Sequence, residues 1–94
     1  MLFSAIKDPD EKKDYGFNWV DWLGTDTIAS STWVVPSGTL AHGSPADSND
    51  TTTTTIWFTG GTDGVDYDIV NRITTTAGRI AEAAFRLLCR ASTN

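Results

Sequence analysis

Residues 63–74 read DGVDYDIVNRIT, and the fold turns on how they are read. Tyr67, Ile69, Asn71 and Ile73 alternate with Asp68, Val70, Arg72 and Thr74. Successive side chains of a strand point to opposite faces, so this period predicts a β-strand with its apolar face set by Tyr67, Ile69 and Ile73. Gly60, Gly61, Thr62, Asp63 and Gly64 form a tight turn just before it, and residues 75–78 close a hairpin after it.

Working upstream, residues 51–59 hold five consecutive threonines followed by Ile56, Trp57 and Phe58. β-Branched side chains stiffen χ1 and favour the pleated backbone, so this is a second strand, with Ile56 and Phe58 inward. Residues 41–50 are polar and turn-forming throughout, and His42 there reads as a solvated loop histidine. Residues 27–35 are rich in β-formers, stop at Pro36, and carry Trp33 as the central core tryptophan of their sheet. Residues 15–19 place Tyr15, Phe17 and Trp19 on one strand face, and Trp22 and Leu23 follow before a turn at residues 24–26. Residues 2–6 are a short apolar block, and residues 7–13 read as a charged turn around Pro9.

Downstream, residues 79–90 admit two readings. A helix would gather Ile80, Ala83, Ala84, Leu87 and Leu88, and would pair Glu82 with Arg86. A strand would place Ala81, Ala83, Phe85, Leu87 and Cys89 on one face. Local propensity favours helix; the run of strands before it favours a final strand antiparallel to 67–74. We take the strand. About six or seven strands at roughly ten-residue spacing make an all-β, immunoglobulin-like antiparallel sandwich. A tyrosine at the start of a late strand, two residues before a core position, matches the tyrosine corner of such sandwiches, with Ile69 in the core position. The expected core is Tyr15, Phe17, Trp33, Ile56, Phe58, Tyr67, Ile69 and Ile73. The expected organisation is one domain over residues 1–94, with a short N-terminal docking segment at about 1–13.

The chain is 94 residues long, with seven Lys/Arg against twelve Asp/Glu and a net charge of −5. Phosphate contacts need clustered basic residues, so no nucleic-acid partner is expected. The same balance and the lack of an apolar run near ~18 residues argue against a membrane partner. One cysteine, Cys89, excludes an intramolecular disulfide and a cysteine-based metal site. One histidine, two glutamates and aspartates placed mostly in turns supply no catalytic constellation, no phosphate-cradling loop and no calcium-binding spacing. The chain is therefore expected to have no catalytic residues, no metal site and no cofactor.

Four tryptophans are many for so small a core. With Ile56 and Phe58 inward, Trp57 faces outward, and Trp22 caps one end of the sandwich. Exposed tryptophans are common interface anchors. Sheet edges must be blocked or used, and residues 2–6 and 79–90 are the plausible edge elements. An apolar N-terminal block makes sense if it docks on a neighbouring subunit.

The motif order is specific. Lys7, Asp8 and Pro9 open it; Trp19, Trp22 and Leu23 follow; then Asp26, Thr27, Ile28, Ser31, Thr32, Trp33 and Pro36. Trp57, Gly60, Gly61, Gly64 and Tyr67 come next, and Asn71, Arg72, Ile73 and Arg79 end it. Over residues 7–86 this resembles the small tailed-phage virion proteins called fiber-tail adaptors. The resemblance implies a non-enzymatic virion component with an immunoglobulin-like domain, made in the host cytoplasm and placed in the tail between the tail ring or head–tail connector and the fiber. Its partners would be those virion proteins, bound by copies repeated under the virion symmetry, through Leu2, Phe3, Ile6, Trp22 and Trp57. Two other readings stay open at this point. One is a decoration protein clamping capsid subunits on the head surface. The other is a carbohydrate-binding module that stacks sugars on an exposed tryptophan such as Trp22, beside Asp21.

Overall fold

The alternation at 63–74 becomes the longest pairing of the fold. The computed structural model describes residues 2–43 and 45–91, with the side chains of residues 2 and 3 outside that description. Strand β7 (Asp66–Thr75) pairs antiparallel with β8 (Ile80–Cys89) on one side and with β3 (Ile28–Val34) on the other. Strand β1 (Leu2–Lys7) joins the far side of β8 in parallel, completing a sheet in the order β1-β8-β7-β3. The second sheet runs β2 (Lys13–Asn18), β6 (Thr53–Gly60), β4 (Leu40–His42), with β5 (Ser48–Asn49) also on β6. One helical turn, α1 (Val20–Leu23), links β2 to β3. The sheets thus hold the B-E-D and C-F-G strands of an immunoglobulin-type sandwich, and the first strand runs parallel beside the last.

The core lies between the two sheets. Ile56, Phe58, Ile69, Ile73, Phe85 and Leu87 are fully buried, and each contributes about 1.5–3 kcal/mol by leaving water. Phe17 stacks on Trp33 at 5.9 Å between centroids, and Tyr15 stacks on Phe85 at 5.6 Å. Tyr15 and Trp33 are only half-buried and pack against the core from its margin. The tyrosine corner closes as its spacing predicts. Tyr67 is buried, and its hydroxyl accepts the Thr62 N–H at 3.1 Å, five residues upstream. Ile69 fills the core position two residues later.

The structure departs from the sequence reading in four places. Residues 79–90 form the expected strand, because β7 supplies a ten-residue partner that outweighs the helical preference of alanine, but they are not an edge element: β8 lies between β7 and β1. Residues 41–50, read as turn throughout, contribute to the short β4 and carry β5, so the described residues form eight strands. Both short strands exist only by pairing with β6, and His42 in β4 bonds Asp47 at 3.0 Å. The segment after Trp19 makes the turn of helix α1. Finally, Lys7 is not part of a solvated charged turn. It ends β1 fully buried, and its Nζ donates to the Gly60 carbonyl at 2.7 Å and the Asp8 carbonyl at 2.9 Å.

Candidate partner-binding surface

The features that single out one end of the sandwich begin with α1. Asn18 Oδ1 accepts the Val20 N–H at 3.0 Å and starts the turn. Gly24, at φ +64°, stops it, a left-handed conformation that glycine adopts without steric cost. Within this single turn Leu23 points into the core and Trp22 points out, 41% exposed.

Trp22 is held in place. The Arg79 guanidinium lies 4.2 Å from its ring centroid, and the Trp19 ring meets it edge-on at 5.7 Å. Such a cation–π contact adds about 0.5–2 kcal/mol. Arg79 is fixed in turn by the Asp26 carboxylate at 3.1 Å and the Leu23 carbonyl at 2.9 Å. Asp26 also accepts the N–H groups of Thr27 (2.8 Å) and Ala77 (3.2 Å). One carboxylate therefore ties the β2–β3 connection to the β7–β8 hairpin. The Thr75 hydroxyl foremost, then the Thr27 N–H, Arg79 and the Ala77 N–H, hold the Asp26 carboxyl down at about 2.

That depression has a direction in pH. The folded Asp26 loses its charge only near about 2, whereas an unfolded aspartate does so near about 3.9. Its stabilising contribution is complete above about pH 4 and is lost as pH falls towards about 2. The urea midpoint is expected to fall across that window, and to fall less steeply in Asp26→Asn. Equal slopes in the two proteins would refute the role given to Asp26.

Beside Trp22 a cleft of about 330 Å³ opens between the two sheets. Phe17, Trp19 and Trp22 form one wall, and Ala81 and Ala83 of β8 form the other. Asn18, Asp21 and Glu82 stand at its polar margin. Asp21 makes no ion pair among the described residues, and Glu82 meets Arg72 only at 4.0 Å in solvent.

The other residues expected to make contacts lie elsewhere. Ile6 is 63% exposed on the outer face of the first sheet, beside Leu88. That is about 17–20 Å along β8 from the cleft, at about 3.3 Å per residue. Trp57 is half-buried on the outer face of the second sheet, opposite Asp14. The side chains of Leu2 and Phe3 lie outside the described residues. The structure therefore brings Trp22 together with the cleft and leaves Ile6 and Trp57 apart from it. The alanines and Glu82 of the far wall come from a strand some sixty residues away in sequence from Trp22, and only the sandwich itself brings them together. Among the described residues, no three His, Cys, Asp or Glu side chains gather to hold a metal ion.

No curated protein matches the chain. Residues 7–88 match the family described as podophage GP4 fiber-tail adaptor protein gp77. The match runs from the buried lysine at the end of β1, through the tyrosine corner and both walls of the cleft, to the penultimate residue of β8. The chain therefore belongs to the podophage fiber-tail adaptor family.

Proposed function

We propose that the protein is a non-enzymatic virion component that joins the tail, or the head–tail connector, to the tail fibers. The observation that carries this reading is the family match across nearly the whole sandwich. An adaptor needs shape and edge complementarity on a stiff scaffold, repeated by the symmetry of the particle. The end around Trp22 is suited to that work, because Asp26 and Arg79 fix its loops before any partner arrives. The head-decoration and sugar-binding readings lack such support, and Arg79 occupies a face of Trp22 that a sugar ring would need.

The test is the copy number and position of the chain in purified particles, by quantitative mass spectrometry and cryo-electron microscopy. A ring-associated adaptor is expected in on the order of a dozen copies or fewer, in density between tail and fibers. Hundreds of copies on the capsid would replace this function with decoration, and absence from the particle would end the virion reading.

A further inference from the structure

We infer that the open edge of β8 over residues 80–83, with the cleft beside it, is a strand-docking site for an extended, basic segment of another virion protein. This rests on the adaptor reading for the partner's origin, but the site itself follows from backbone geometry.

Among the described residues, β1 covers β8 over residues 84–89. Antiparallel pairing alternates residues that bond the partner strand with residues that turn away from it. The Thr75 N–H bonds the Arg79 carbonyl at 2.8 Å, and the Cys89 N–H bonds the Val65 carbonyl at 3.1 Å. These two bonds, at opposite ends of β8, make its odd-numbered residues the ones that bond towards β7. The even-numbered residues turn towards the lane of β1, in keeping with the Arg90 N–H bonding the Lys7 carbonyl at 3.0 Å. Ile80 and Glu82 therefore aim their N–H and C=O groups into that lane beyond the start of β1. No described residue bonds them there.

Among the described residues the lane is vacant, and it is shaped. The cleft runs beside it, and the second sheet ends at β2, whose outer edge carries no strand among the described residues. In immunoglobulin-type sandwiches the first strand closes that side against B, the position β2 holds here. An incoming strand would bond Ile80 and Glu82 and send alternate side chains between the aromatic wall and the two alanines. Small residues at 81 and 83 leave the room for this. The occupant's charge follows from the margin. Asp21 and Glu82 are carboxylates, while Arg79 is committed to Asp26. A second copy, itself carrying a net charge of −5, would bring like charge to an acidic margin, so the partner is a different, basic chain.

The experiment titrates the intact protein with a short acetylated peptide of alternating valine and lysine, followed by amide NMR shifts and tryptophan fluorescence. Saturable binding is expected, with shifts centred on Ile80, Glu82 and Trp22. Methylating alternate backbone nitrogens of the peptide, or replacing its lysines with glutamates, is expected to weaken binding about tenfold or more. Glu82→Pro removes an outward N–H without touching the β7 ladder, and is expected to do the same. Glu82→Gln is expected to lose only a few-fold. Should Glu82→Pro not fold, the N-methylated peptide against the unaltered protein decides the question. The inference is overturned if the lysine peptide does not saturate, if the N-methylated or glutamate peptide binds equally well, or if sedimentation shows a dimer formed through this edge. Each of those results leaves the tail position of the protein untouched, and a protein missing from the tail would leave the peptide result standing.

Discussion

Asn71→Ala is expected to cost about 3–5 kcal/mol of stability, more than a large share of single substitutions do. In a domain of this size that lowers Tm by roughly 15–30 °C. Asn71 is fully buried in the middle of β7, and every hydrogen-bonding capacity of its amide is used. Its Oδ1 accepts the Trp19 indole N–H at 3.2 Å and the Thr54 hydroxyl at 2.7 Å. Its Nδ2 donates to Ser31 Oγ at 2.9 Å and to the Thr32 carbonyl at 3.0 Å. One side chain thus joins β7, β3, β6 and the residue that leads into α1. A completed network of this kind adds specificity to a core, whereas a broken one strands buried polar atoms that cannot reach water. Asn71→Leu is expected to cost nearly as much as Asn71→Ala, since both leave Trp19 Nε1 and Thr54 Oγ1 without a partner. Ser31→Ala removes one half-buried acceptor and is expected to cost about 1 kcal/mol or less. Denaturant melts followed by far-ultraviolet circular dichroism measure all three. A loss below about 1 kcal/mol in Asn71→Ala would mean that the network contributes nothing net.

The visibility of this network in the sequence was partial, and the reason is physical. The period-two pattern places Asn71 on the same face as Ile69 and Ile73, so its inward direction is legible from residues 67–74 alone. What the pattern cannot supply is the set of partners, because Thr54 sits in a uniform run of threonines, Trp19 leads into α1 and Ser31 belongs to β3. The same division holds elsewhere. Tyr67 and Ile69 announce the corner because its spacing is local. The burial of Lys7 depends on the Gly60 carbonyl, fifty-three residues away, and nothing in residues 7–13 signals it. β4 and β5 are too short to carry a period and are strands because β6 accepts them. The aromatic wall of the cleft could be read as a cluster of tryptophans near residue 20, but its alanine wall and the open edge depend on where β1 begins along β8. Local chemistry is therefore visible in one chain segment, and a site made from strand edges is not.

Gly16→Ala is the second substitution expected to act strongly. Gly16 lies in β2 opposite Thr55, and a Cβ placed there would run into the Thr54 carbonyl oxygen of the paired strand. The obstacle is backbone, so no rotamer change relieves it; β2 must move away from β6 or twist out of register. Both neighbours in sequence, Tyr15 and Phe17, pack against Phe85, so the movement opens the aromatic core as well as the ladder. It also drags on Thr54, which bonds Asn71. Overpacking of this kind costs about 1–3 kcal/mol and more where the backbone has to shift, so a loss of about 3 kcal/mol is expected. Asp14→Ala, exposed on the same strand, provides the control and is expected to stay within about 0.5 kcal/mol. Because Phe17 and Trp19 also wall the cleft, Gly16→Ala is expected to weaken binding of the valine–lysine peptide even at temperatures where the protein remains folded. If the variant melts like the parent and binds the peptide equally well, then β2 has slack against β6, and the cleft does not depend on the close approach that Gly16 permits.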